Sequence, residues 1–160
     1  MPERIVVSLG EVAASVAPAE FAALGLGSCV AVTLWDPRAR VGGMAHVLLP
    51  SGPPGHVGAP ARYASTAVPL LAARVVALGA EPSRLEATLA GGGAMFAALK
   101  PPGAVQTGER NVLAAHEALR LAGISLRGEW VGGEFGRSVH FDVATGVVTV
   151  SSVRHGTRRL

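Results

Sequence analysis

Val30-Ala31-Val32-Thr33-Leu34-Trp35, a turn at Asp36-Pro37-Arg38, and Val41-Gly42-Gly43-Met44-Ala45-His46-Val47-Leu48-Leu49 read as two strands joined by a short polar link. Apolar, β-branched runs bounded by a proline-containing turn are strand signals, and so short a link makes an antiparallel hairpin the economical connection. The hairpin brings the start of its first strand opposite the region of Leu48. Immediately before that start stands Leu24-Gly25-Leu26-Gly27-Ser28-Cys29, and His46 follows Cys29 by seventeen residues, near the far end of the return strand.

This places a thiol and an imidazole at the same end of two neighbouring strands. Cys29 is the only cysteine of the chain and sits behind two glycines and a serine rather than inside an unbroken apolar run. A cysteine attacks as its thiolate, which needs a neighbouring imidazole or converging main-chain N–H groups, and glycines let such groups approach. Cys29 is therefore the candidate nucleophile and His46 its candidate base. Gly27 and Ser28 are the loop residues whose amides would hold the oxyanion of an acyl-transfer intermediate. Each residue alone also fits a packing role, since free cysteine is among the most buried residue types and a histidine among apolar neighbours is often an interior group.

Outward from the hairpin, residues 5–9 read as a first strand. The stretch 51–60, with its Gly-Pro-Pro-Gly, reads as a loop beside the site. Residues 62–78 carry apolar positions at helical spacing, with Pro69 expected to kink the element or leave its first half irregular. A strand over 84–90 runs into Gly91-Gly92-Gly93. A helix over 108–122, closed by Gly123, is expected to bury Val112, Leu113, Leu119 and Ala122. Strands over 126–131, 138–143 and 147–152 follow, separated by Gly132-Gly133 and by Thr145-Gly146. Strands arriving in hairpin-like groups favour an α+β fold of mixed β-sheets with packed helices, a layered sandwich, over a doubly wound parallel sheet. Gly91-Gly92-Gly93 lacks the order of a phosphate-binding loop and reads as a structural turn.

A chain of 160 residues that is 49% hydrophobic supports one domain over 1–160, with a core about 5–152 and a flexible tail over 153–160. One cysteine excludes an intrachain disulfide, and no paired Cys or His spacing marks a zinc site, so neither export to an oxidising compartment nor a metal is expected. Met1-Pro2-Glu3-Arg4 does not open a secretory signal, and the uncharged run from Phe21 to Trp35 is glycine-broken and too short to span a bilayer. A cytoplasmic location without membrane insertion is the default. The net charge of +3 is spread singly along the chain and aromatics are 4%, which argues against nucleic-acid binding.

Several of these blocks occur together in one known family. Leu24-Gly25-Leu26-Gly27-Ser28-Cys29, Asp36-Pro37, Gly43-Met44-Ala45-His46-Val47-Leu48-Leu49-Pro50, Tyr63-Ala64-Ser65-Thr66-Ala67, Gly91-Gly92-Gly93-Ala94-Met95-Phe96, Gly108-Glu109-Arg110-Asn111, and Gly132-Gly133 with Gly136-Arg137 resemble, in order, the chemoreceptor glutamine deamidases, CheD. The resemblance runs from about residue 5 to residue 150. It implies a cysteine hydrolase of bacterial chemotaxis that converts receptor glutamines to glutamates, with a fold shared with deamidating bacterial toxins. It implies Cys29 as nucleophile and His46 as base, no cofactor, and two partners: the cytoplasmic helices of methyl-accepting chemoreceptors and a chemotaxis phosphatase of the CheC type. A monomer is expected.

There is one departure from the family pattern, which has a threonine six residues before the cysteine to orient the histidine. Here that residue is Ala23, whose main-chain carbonyl is the candidate replacement. The departure leaves open a non-catalytic regulatory module that binds the phosphatase or receptors. A nucleotide-binding domain using the glycines is the third reading.

Overall fold

The computed structural model describes residues 2–55, 58–95, 97–104 and 106–160. Its elements in chain order are β1 (Arg4–Val6), β2 (Val12–Val16), β3 (Glu20–Leu26), β4 (Val30–Asp36), β5 (Val41–Val47), α1 (Ala64–Ala77), β6 (Glu86–Gly91), α2 (Thr107–Ala122), β7 (Ser125–Val131), β8 (Arg137–Asp142), β9 (Val148–Ser152) and β10 (Gly156–Arg159). The expected hairpin is present as β4 and β5, antiparallel from Val30 opposite Val47 to Asp36 opposite Val41. It forms the middle of a central sheet in the order β2-β5-β4-β6-β7, while β1-β3-β8-β9-β10 make a second sheet. Both sheets are mixed, with β1 parallel to β3 and β6 parallel to β7. The architecture is the α+β layered sandwich that the strand grouping predicts.

The layers follow from the two-residue period of the hairpin. Val30, Val32 and Leu34 of β4 and Val41, Ala45 and Val47 of β5 are buried with α1 and α2 residues such as Val68, Leu71, Ala115 and Leu119. The alternate residues Ala31 and Met44 face the second sheet, packing with Phe21, Val139, Phe141 and Val150. The central sheet is thus apolar on both faces, as a middle layer must be. Asp36, at the closed end of the hairpin, is fully buried. It accepts hydrogen bonds from the Arg84 guanidinium, with Nε at 3.0 Å and Nη2 at 2.9 Å, and from the backbone amides of Arg38, Ala39 and Glu81.

The structure differs from the sequence reading at identifiable points. β2 and β3 were not expected, because alanine, serine and glycine, which carry little strand preference, make up much of both; ladder pairing decides their conformation, β2 with β5 and β3 with β1 and β8. β1 spans Arg4–Val6 rather than 5–9, and β6 starts at Glu86 after a 3-10 turn over Pro82–Arg84. α1 runs unbroken through Pro69. The loop over 51–60 includes residues 56 and 57, and the resemblance includes residue 96, all three outside the described residues. The segment 153–160 is not a free tail: β10 pairs antiparallel with β9, Leu160 packs against the inter-sheet core, and the Arg158 guanidinium lies 4.1 Å from the Trp130 ring centre. Its charged and polar composition masks an edge strand held by main-chain bonds. No helix among the described residues is long and apolar enough to cross a membrane.

Candidate active site

Gly27-Ser28-Cys29 is the link by which the chain leaves β3 in the second sheet and enters β4 in the central one. All three of its carbonyls are held. The Gly93 amide donates to Gly27 O at 2.8 Å, the Gly92 amide to Cys29 O at 2.9 Å, and Asn111 Nδ2 to Ser28 O at 2.9 Å. Gly91 makes this approach possible: its φ is +110°, and a Cβ there would lie 2.2 Å from Cys29 O. The triple glycine is therefore a structural turn, and the turn's task is to brace the cysteine loop. It is braced in its own right by the Gly132-Gly133 turn, through Gly132 N to Gly91 O at 3.0 Å and Ala94 N to Gly133 O at 2.8 Å. Behind that turn Arg137, 2% exposed, donates to the carbonyls of Trp130, Gly132 and Phe135.

Within the hairpin Ala31 stands opposite His46, so Cys29 is diagonal to His46 on the same face of the sheet. Diagonal strand neighbours lie about 7–8 Å apart at the backbone, within reach of side chains of this size. Cys29 is half-buried against the inter-sheet core, and burial pushes its thiol above the ordinary value. His46 is 3% exposed. Its main chain is held by Glu11 O and Gly10 N, and its ring Nδ1 lies 3.0 Å from Val7 O. A carbonyl only accepts, so Nδ1 carries the proton. In the neutral ring Nε2 then holds the lone pair, and Nε2 is buried without a protein hydrogen-bond partner among the described residues.

The acceptor at His46 Nδ1 is therefore the Val7 carbonyl and not that of Ala23. Ala23 lies inside β3, opposite Val139 of β8, and its side chain joins the inter-sheet core. Strand carbonyls point along the sheet toward neighbouring strands, which directs Ala23 O away from the layer His46 occupies. Val7 lies just past the end of β1; its amide donates to Ala22 O at 2.8 Å, and its carbonyl is turned to His46. No residue type announces a main-chain acceptor, so nothing in the sequence marked Val7.

Asn111, present in the sequence reading only within the Gly108–Asn111 block of the resemblance, is the second residue to which the sequence assigned no role. It is fully buried on α2, whose buried stripe is Gly108, Asn111, Ala115, Ala118 and Leu119. Of the expected face, Leu119 is buried and Val112 packs half-buried against the core, whereas Leu113 is 61% exposed and Ala122 is exposed. Small residues form the stripe because the helix backbone comes very close: a Cβ at Gly108 would sit 2.4 Å from Gly93 O. A polar residue one turn after a glycine, in register with Ala115 and Ala118, is the signal that would have found it.

Two clefts flank the loop. One, of about 910 Å³, runs between Gly25-Leu26-Gly27 and the segment around Phe135 and Arg154. The other, of about 340 Å³, lies between Gly27-Ser28 and the start of α2 at Thr107-Gly108. Gly27 and Met95 line both, so the loop preceding Cys29 forms the ridge between them.

Fold and site together define an α+β sandwich with a half-buried cysteine and a buried histidine on neighbouring chains near where its two sheets are joined. Residues 48–152 match the family model for CheD chemotactic sensory transduction. The chain is 40% identical over 158 residues to the probable chemoreceptor glutamine deamidase CheD of Desulfitobacterium hafniense, covering 99% of each chain. It is 42% identical over 151 residues to the chemoreceptor glutamine deamidase CheD of Thermotoga maritima, covering 94% of this chain and 93% of that one. The probable chemoreceptor glutamine deamidase CheD of Pyrococcus abyssi is 41% identical over 157 residues, covering 98% and 96%. This chain belongs to the CheD family. Among solved structures, the Bacillus licheniformis hypothetical protein YfiH aligns with a TM-score of 0.47 and 15% identity, over 74% of this chain and 49% of that one.

Proposed function

We propose that this protein hydrolyses the side-chain carboxamide of glutamines on bacterial chemoreceptors, giving glutamate and ammonia, with Cys29 as nucleophile and His46 as base. The observation that carries the reading is the His46 ring: Val7 O fixes the proton on Nδ1 and leaves the Nε2 lone pair on the face of the sheet that Cys29 shares. The names of the relatives supply the substrate class.

Burial disfavours a standing thiolate, so the thiol proton passes to Nε2 as sulfur attacks the carboxamide carbon. The carbonyl oxygen of the substrate then carries the negative charge, next to the amides of the Gly27-Ser28-Cys29 loop, whose carbonyls are already committed to Gly92, Gly93 and Asn111. Nε2–H returns its proton to the leaving nitrogen. The C–N bond breaks, ammonia departs, and a thioester to Cys29 remains. Water, deprotonated by Nε2, attacks the thioester; the C–S bond breaks, the thiol is regenerated, and glutamate is released. The sequence uses neither cofactor nor metal.

The receptor's cytoplasmic helices are the proposed substrate partner, a CheC-type phosphatase the second partner, and a cytoplasmic monomer the working form. The reading as a purely regulatory module rests on the missing threonine at position 23; the Val7 carbonyl, an acceptor at Nδ1, supports the catalytic reading instead. The test is ammonia release from a receptor cytoplasmic fragment. Wild-type protein is expected to release ammonia, and Cys29→Ser and His46→Ala to lose about 10²–10⁴-fold in rate while folding normally. Equal rates in wild type and Cys29→Ser overturn the assignment.

A further inference from the structure

The Cys29 loop and the His46 strand are joined by β-ladder bonds only as far as Val30 and Val47. Beyond that rung the two chains part: Leu48 and Leu49 turn their amides to Arg62 O, at 2.9 and 3.2 Å, while residues 27–29 leave toward the second sheet. Two strand-end carbonyls, Ser28 O and Leu48 O, face the gap. Asn111 Nδ2 donates to both, at 2.9 and 2.8 Å. One side-chain amide thus supplies the rung that the ladder lacks, beside Cys29 on one chain and two residues past His46 on the other. The orientation of the carboxamide is forced, since exchanging its nitrogen and oxygen would set Oδ1 against two carbonyl oxygens. Oδ1 is buried with no protein partner among the described residues, so the group is held by its two donated bonds.

We propose that Asn111 is a positioning residue that sets the distance and angle between Cys29 and His46. Its two hydrogen bonds go to main-chain carbonyls and to neither catalytic side chain, so it acts through the backbone on both sides of the pair. Gly108 is part of the same device, because only a residue without Cβ lets α2 approach the Gly92 and Gly93 carbonyls closely enough for Asn111, one turn later, to reach across. A displacement of the pair by about 1 Å is worth roughly 10²-fold in rate, which is the scale of effect this clamp controls.

The inference rests on the Cys29–His46 reading, and its test separates the two. Cys29 alkylation by iodoacetamide is followed against pH in the wild type and in His46→Ala, Asn111→Ala, Gly108→Ala and Leu119→Ala, alongside kcat and KM on the receptor fragment. Leu119→Ala cavitates the same helix face without touching the clamp and is the control for general loosening. The wild-type alkylation profile is expected to differ from that of His46→Ala, and the Asn111→Ala and Gly108→Ala profiles to collapse onto the His46→Ala profile. Their kcat should fall about 10²-fold with KM nearly unchanged, whereas Leu119→Ala keeps the wild-type profile. Gly108→Ala retains the carboxamide, so it carries the test if Asn111→Ala does not fold. An Asn111→Ala or Gly108→Ala protein with wild-type kcat and profile, or with losses no greater than those of Leu119→Ala, overturns the proposal. Identical profiles in wild type and His46→Ala overturn the catalytic pair itself.

Discussion

At the scale of single residues, the site depends on which atom holds the His46 proton. Orientation needs an acceptor near Nδ1, and the Val7 carbonyl at 3.0 Å meets that need as well as a hydroxyl does. Ala23→Thr should therefore change the deamidation rate little; a rise of orders of magnitude from a near-zero baseline would show that the native chain is a degenerate enzyme retained for binding. The thiol carries a second expectation. Burial raises its pKa, so the thiolate fraction, and with it the rate of alkylation in His46→Ala, should still be climbing at the ordinary thiol value of about 8.5. A plateau below neutrality would contradict the burial argument. Cys29 and His46 were legible in the sequence as candidates, because chemistry confines the proposed roles to few residue types. Val7 was illegible, because every residue type contributes the same main-chain carbonyl, and only the fold decides which one faces the ring.

At the scale of elements, the hairpin and the closing strands β8 and β9 were legible from β-branched alternation. Alanine-rich β2 and β3 were not, since their conformation comes from the strands they pair with, β5 for β2 and β1 and β8 for β3. The closed end of the hairpin is pinned by Asp36. Burial by itself would raise its carboxyl, but the Arg84 guanidinium and the amides of Glu81, Ala39 and Arg38 outweigh that and hold it well below the usual carboxylate range. A depressed folded pKa contributes stability that is fully present above the unfolded value of about 3.9 and is lost as pH falls toward the folded one. Asp36→Asn should cost about 3 kcal/mol near neutrality, and the gap to wild type should narrow only below about pH 4 in denaturant titrations. A pH-independent gap would place the loss elsewhere. β10 was hidden behind its charge. Deleting 156–160 strips Leu160 from the inter-sheet core and Arg158 from Trp130, so it should destabilise the protein by about 2 kcal/mol and lower Tm. An unchanged Tm would return that segment to the status of a tail.

At the scale of the whole molecule, the site exists because the chain changes sheets at Gly27-Ser28-Cys29 while β5 carries His46 up the central sheet to the same level. Three separate elements then lean on that crossing: the Gly91-Gly92-Gly93 turn, the Gly132-Gly133 turn behind it, and α2 through Asn111. Glycine clusters legible in the sequence only as turns acquire a further task here, as close-approach points around a single loop. On the proposed function, this loop presents a covalent nucleophile. The most direct measurement is acid-quenched mass spectrometry of the protein during turnover of a receptor fragment, with ammonia followed in parallel. A thioester adduct on the peptide containing Cys29, absent in Cys29→Ser and accumulating before ammonia release reaches steady state, is the predicted result. Ammonia release at full rate with Cys29 never acylated would contradict it.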